Sequence, residues 1–245
     1  MTFRRILAVL AFSMVGWAQT ADTILDAARA ALGGGKLTAV QSLAVSGSLE
    51  KRDARGVRHA LVELSLQLPG QFLREITPAD AGPAVQIQCL NGDTGWSRTI
   101  FPPGTTVNGA PPPDRAADLD EAGRNSLNRE FVRYLLAFLV TGTPDFPLTF
   151  RAGDAMETDR GTMDTVEGRG ADGFLVRLLF DPKTHRPSAI VYSSSAQLWL
   201  SDYREENGML LPHQLTTTTD GIPTEKFEIK KFKVNPLFPA SQFRP

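Results

Sequence analysis

Residues 196–234 read AQLWLSDYREENGMLLPHQLTTTTDGIPTEKFEIKKFKV. Three runs rich in alternating apolar residues are separated by Asn207-Gly208 and Asp220-Gly221. These dipeptides readily place both turn residues at positive φ, as a two-residue hairpin requires. Each run is about ten residues long, against a usual strand of five or six. The prediction is a meander of three long antiparallel strands, part of a large sheet that curves around something. In the third run Phe227 and Ile229 have one parity, and Phe232 and Val234 have the other. Side chains alternate strictly between the two faces of a strand, so this switch needs one extra residue. A β-bulge is therefore predicted at Lys230 or Lys231, where it also bends the sheet.

Upstream of this meander the same pattern recurs. Leu43, Val45, Gly47 and Leu49 share one face; Val62, Leu64, Leu66 and Leu68 alternate with Glu63, Ser65 and Gln67, so that strand has one wet face. Phe72, Arg74 and Ile76 oppose Leu73, Glu75 and Thr77, and Val85, Ile87 and Cys89 lead into a turn at Asn91-Gly92, with Trp96 on the returning strand. Further strands are predicted over 148–151, 163–169, 174–180 and 188–192, with turns at Asp172-Gly173 and Asp181-Pro182. Phe174, Val176, Leu178 and Phe180 fall on one face and Leu175 and Leu179 on the other, so that strand is expected to be buried on both sides. Residues 101–114 hold five prolines and two glycines and must be a surface loop.

Two segments are helical. A short amphipathic helix is predicted over 22–32, capped by Asp22 or Thr23 and stopped by Gly33 to Gly35, with another turn over 36–41. Gly35-Lys36 is not a phosphate loop: Leu37 stands where Ser or Thr is needed, and a helix precedes it. A longer helix is predicted over 115–141. Its first half is polar, and Asp118, Asp120 and Glu121 complement the helix dipole. In its second half, Phe131 to Val140, only Arg133 is charged. A segment apolar all round must be buried on nearly all sides, and this one is too short to cross a bilayer. It is expected to lie on the concave face of the curved sheet, or else against a flat one. The whole pattern gives about eleven strands in one domain, residues 19–245, with no strand–helix–strand alternation and hence no doubly wound sheet.

The first residues read as a secretory signal: Arg4 and Arg5, an apolar run over Ile6 to Val15, and small Gly16 and Ala18 before a cut after Ala18. That run is about half of what a membrane span needs. Residues 1–18 hold two of the chain's 26 basic residues and none of its 27 acidic ones, leaving 24 against 27 and a formal net charge of −3. No strongly basic face for nucleic acid is indicated. Cys89 is the single cysteine, so no internal disulfide can form, and it is read as a buried, inert thiol.

No catalytic or metal constellation is visible. His59, His185 and His213 are far apart, there is no Gly-x-Ser-x-Gly elbow, and no spacing singles out a carboxylate such as Asp202. What remains is apolar. Phe131, Tyr134, Leu135, Phe138 and Leu139 recur at helical spacing. They are either ordinary core or a plug in a cavity that yields to an acyl chain.

Several short motifs carry a family resemblance. They are Ile24-Leu25-Asp26 through Leu32-Gly33-Gly34, Ser42 to Gly47, Asn91-Gly92-Asp93-Thr94-Gly95-Trp96, and Phe180-Asp181-Pro182-Lys183-Thr184 with Pro187 and Ile190-Val191-Tyr192. Asp202-Tyr203-Arg204, Asn207-Gly208, Leu211-Pro212, Val234-Asn235-Pro236 and Phe243 continue them. Together they resemble secreted proteins of the outer-membrane lipoprotein carrier (LolA/LolB-like) superfamily. The resemblance implies an unclosed antiparallel half-barrel, mainly β, with helices covering its hollow face. It also implies a periplasmic role in binding lipid-modified proteins or other lipids. The leading reading is a monomeric carrier of lipid or acylated protein cargo, served by a membrane-bound donor or acceptor, with no cofactor, no metal and no chemical step. On that scaffold the ligand-binding candidates are the helical stripe Phe131, Tyr134, Leu135, Phe138 and Leu139, together with Trp96, Trp199, Leu211, Leu215, Phe227 and Ile229, and Arg74 as the candidate for the carriers' functional arginine. An envelope stress-sensing or protein-interaction module on the same scaffold is the second reading, and a hydrolase without a recognisable motif the third.

Overall fold

A computed structural model describes residues 20–79, 84–106, 108–112, 115–171 and 173–245. The predicted signal segment, Asp172 of the Asp172-Gly173 turn, and residues 107, 113 and 114 of the proline-rich loop lie outside the described residues. The strands are β1 (Ser42–Asp53), β2 (Gly56–Gln67), β3 (Gln71–Pro78), β4 (Val85–Asn91), β5 (Thr94–Ile100), β6 (Ala117–Asp118), β7 (Thr149–Ala152), β8 (Met156–Thr158), β9 (Gly161–Arg169), β10 (Leu175–Phe180), β11 (Pro187–Val191), β12 (Ala196–Glu206), β13 (Met209–Thr219) and β14 (Ile222–Val234). The helices are α1 (Ala21–Leu32), the single turn α2 (Gly35–Thr38) and α3 (Glu121–Leu139).

All fourteen strands belong to one antiparallel sheet, ordered β6-β5-β4-β3-β2-β1-β14-β13-β12-β11-β10-β9-β7, with β8 also paired to β9. The sheet does not close on itself. Fourteen strands exceed the predicted eleven or so, and the two with no predicted counterpart, β6 and β8, run only two and three residues. Segments that short carry no readable alternation.

The meander pairs as its turns dictate, with Asn207 at φ 53° and Gly208 at φ 74°, and Asp220 at 52° and Gly221 at 77°. The predicted bulge is present. Ser46 pairs with Lys231 but Gly47 pairs with Ile229, so Lys230 is the extra residue. The two strands approach so closely here that a Cβ on Gly47 would lie 2.1 Å from the Glu228 carbonyl oxygen. Only glycine tolerates that approach.

Curvature is evident from what touches the helices. One core joins Leu90 of β4, Val62, Leu64 and Leu66 of β2, Phe227 and Ile229 of β14, and Val176 and Leu178 of β10 to buried residues of α1 and α3. Helix α3 reaches from β4 to β11 and β13, and α1 packs on β13, β9 and β7, so the sheet wraps around them and both lie on its concave face. Helix α1 starts one cap earlier than expected: the Thr20 hydroxyl, rather than Asp22 or Thr23, accepts from the Thr23 amide at 3.2 Å. Helix α3 is shorter than predicted. Residues 117–118 pair with β5, and Asp120 is the cap, its carboxylate accepting from the Gly123 amide at 2.8 Å. Val140 ends α3 in the left-handed region (φ 51°), and its carbonyl accepts from Arg29 Nε of α1 at 3.2 Å. A guanidinium at that position also complements the dipole of α3.

The outer face carries two small clusters. Leu73, Cys89 and Trp96 are covered by the C-terminal tail through Phe243 and Phe238. Trp96 Nε1 donates to the Phe243 carbonyl at 3.3 Å. Met163, Leu179, Ala189 and Trp199 form the other, under Met156 and the guanidinium of Arg160, which lies 4.2 Å from the Trp199 ring centroid. β10 is buried on both faces only toward its end: Leu179 is enclosed but Leu175 is 48% exposed.

The Cys89 thiol is fully enclosed, and burial pushes its pKa up to about 12. Because the thiolate is the reactive form, Cys89 is expected to resist Ellman's reagent in the folded protein and to react with one equivalent after denaturation. Rapid reaction in native buffer would contradict this packing.

Candidate ligand cavity

A cavity of about 790 Å³ opens between α3 and the concave face, within the range of small-molecule sites. Its position follows from strand register. Leu49 of β1 pairs with Phe227 of β14, and Phe227 pairs in turn with Leu215 of β13. Leu49 also faces Ala60 of β2. Together with Val62, Ile76 and Leu198 these side chains make an apolar wall. Tyr134 of α3 and Tyr192, just after β11, complete it. The mouth lies toward the β1–β2 and β13–β14 hairpins, where Lys51 and Glu225 form an ion pair at 2.5 Å and Arg58 pairs with Asp53.

The predicted site residues separate into three groups. Tyr134, Leu215, Phe227 and Arg74 line the cavity. Phe131, Leu135, Phe138, Leu139, Leu211 and Ile229 are enclosed in the core behind it. Trp96 and Trp199 are placed on the opposite, outer face. The reason is parity. On β5 it is Gly95 that faces α3, where an added Cβ would sit 3.2 Å from Arg124 and Leu119 atoms. On β12 Leu198 and Leu200 face inward, so Trp199 faces out.

Helix α3 is pinned by a run of rings. Phe131 stacks on Phe72 of β3 (5.4 Å between centroids), Phe72 meets Tyr134 (5.9 Å), Tyr134 stacks on Phe138 (5.8 Å), and Phe138 meets Phe232 edge-on (5.3 Å). His213 continues the run at 5.2 Å from Phe232. The histidine is buried, with Nδ1 3.0 Å from the Ile229 carbonyl oxygen. Its Nε2 comes within 3.2 Å of Glu206 Oε1 but at angles too poor for a hydrogen bond.

The polar groups facing the cavity are ordered. Arg74 Nη1 donates to both carboxylate oxygens of Glu130 at 2.6 Å, and Nη2 donates to Gln88 Oε1. This ties β3 and β4 to the cavity side of α3. Burial first, and the Glu130 carboxylate second, push the Tyr134 phenol above its usual range, so it stays a neutral hydrogen-bond partner. Arg133 lies face-on to Tyr192, 4.6 Å from the ring centroid. The lining holds four cations, Lys51, Arg58, Arg74 and Arg133, against two anions, Glu130 and Glu225.

A second cavity, also about 790 Å³, lies on the other flank of α3. There β10 and β11 part after the Arg177–Val191 pair, leaving a gap lined by Asn125, Ser126, Ser193 and Ser194 as well as Val176. Arg133 and Tyr192 border both cavities. Among the described residues no group of three or more His, Cys, Asp or Glu side chains is arranged to hold a metal ion, and no helix is long and apolar enough to cross a membrane.

Sequence reasoning missed Leu49, Ile76, Leu198, Tyr192 and Arg133 as lining residues. The first three were legible as one face of a strand, but their neighbours depend on register.

No family model and no curated protein matches the chain in sequence. Solved structures do match in fold. A domain from Vibrio parahaemolyticus described as outer membrane lipoprotein-sorting aligns with TM-score 0.58 at 11% identity, over 91% of this chain and 97% of that one. A LolA superfamily protein from Nitrosomonas europaea aligns at 0.59 and 15% identity, over 93% and 99%. A DUF1329 family protein from Desulfovibrio piger aligns at 0.60 and 8% identity, over 91% and 96%. The agreement covers nearly the whole of each chain at identities that speak for architecture alone, and the protein has the LolA-like superfamily fold.

Proposed function

We propose that the protein is a periplasmic carrier that holds an acyl chain of a lipid or lipid-modified protein in the cavity between α3 and the concave sheet, with no chemical step. The observation that carries this is an open chamber of about 790 Å³, with one apolar wall, in the hollow of an unclosed sheet. Each methylene transferred into such a wall gains about 0.8 kcal/mol, so a chain of ordinary length would be held firmly. The fold shared with a lipoprotein-sorting domain and a LolA superfamily protein supports the same reading. The rim is suited to handing cargo to or from a membrane-bound partner. Val57 and Ile222, on the hairpins beside the mouth, are 45% and 64% exposed.

The test is to purify the protein without detergent as a monomer, extract it with organic solvent and analyse the extract by mass spectrometry. About one acyl-bearing molecule per chain is expected, or its uptake from phospholipid vesicles when the protein is first stripped. A protein that neither retains nor takes up lipid would overturn the proposal.

A further inference from the structure

We infer that the cargo is an amphipathic anion, its carboxylate or phosphate head held by Arg133 at the junction of the two cavities. The inference rests on the acyl-chain reading of the first cavity. Arg133 interrupts the most apolar stretch of α3. Its recorded contact is the face of Tyr192. Among the described residues it has no carboxylate or carbonyl partner. The guanidinium of Arg74, which lines the same chamber from β3, is by contrast engaged by Gln88 and by Glu130, about one turn before Arg133 on α3. A half-buried guanidinium offers five N–H donors in a planar fork that matches carboxylate and phosphate oxygens. Leaving those donors unmet in a partly dry site is unfavourable unless a ligand meets them.

The surroundings have matching polarity. On one side of Arg133 lie Leu49, Val62, Leu215 and Phe227, which suit a tail. On the other lie Asn125, Ser126, Ser193 and Ser194, which suit a hydrated head, and the one carboxylate there, Glu167, is already paired with Arg151 and Arg177. The cations of the first chamber outnumber its anions, and Glu225 and Glu130 are already spoken for by Lys51 and Arg74.

The experiment compares dodecanoate, dodecyl phosphate and uncharged dodecylglycerol, each below its micelle concentration, by calorimetric titration of the full chain. The two anions are expected to bind about tenfold more tightly than dodecylglycerol, the factor that one charge-assisted pair supplies. Dodecanoate against dodecyl phosphate tells which head is preferred. Arg133→Gln should abolish that tenfold preference, bringing the affinities of the two anions down to that of dodecylglycerol. Arg133→Lys should keep part of it. A merely structural arginine would weaken all three probes alike. Equal binding of charged and uncharged probes to the native chain, or an unchanged preference in Arg133→Gln, would overturn the headgroup assignment and leave the acyl cavity standing. Failure of all three probes to bind would instead remove the acyl-chain reading itself, and the headgroup assignment with it.

Discussion

Phe138→Ala is expected to destabilise the fold by about 3–5 kcal/mol, the range for truncating an enclosed phenylalanine. Phe138 is completely buried and sits in the middle of the ring series that links β3 through α3 to β14. Truncation leaves a void and also removes two ring pairs, each worth about 0.5–1.5 kcal/mol beyond simple burial. The surrounding side chains cannot collapse into the gap easily, because Tyr134 on one side is held against Phe72 and Phe232 on the other packs against His213. Denaturant unfolding would read the effect as a lowered midpoint with an unchanged slope. A loss below about 1 kcal/mol would mean that the helix is only loosely seated. Leu135 is equally enclosed, so Leu135→Arg would bury an unpaired charge and unfold the chain rather than probe the cavity.

The second large effect is on binding. Ala60→Trp is expected to weaken acyl-chain affinity about tenfold or more while changing stability by less than about 1 kcal/mol. Excluding even two methylenes from the wall loses about 1.6 kcal/mol, which is about a factor of ten. Ala60 lies opposite Leu49 on the cavity wall and is only partly buried, so an indole there can occupy the chamber without displacing core atoms. Fluorescent fatty-acid displacement with a parallel thermal melt measures both quantities. Undiminished affinity in a folded Ala60→Trp protein would place the chain somewhere else.

Much of this architecture was legible before any coordinates. Asn207-Gly208 and Asp220-Gly221 fixed the meander because few other dipeptides tolerate two positive φ angles in a row. The change of parity between Ile229 and Phe232 narrowed the bulge to Lys230 or Lys231, and the strand pairing places it at Lys230. Gly47 stood in the right place on β1, yet nothing local revealed that it faces the Glu228 carbonyl across that bulge. The cavity was less legible for the same reason. Leu49, Phe227 and Leu215 become neighbours only through a register that the bulge sets. Large aromatics misled: Trp96 and Trp199 look like pocket walls by size, but alternation puts each on the outer face. The onset of α3 was misjudged because Ala117-Asp118 is a two-residue strand, too short to declare itself. Arg133 was recognised as the one charge in an apolar stretch, while its position between two chambers is a tertiary fact.

The account stands on an acyl chain lying in the hollow between α3 and the sheet. Photocross-linking with a diazirine-bearing fatty acid, followed by peptide mapping, tests this most directly. Labels are expected on Val62, Tyr134, Leu215 or Phe227, all of which face the chamber. Labels confined to the outer face around Trp96 or Trp199, or no saturable labelling at all, would contradict it.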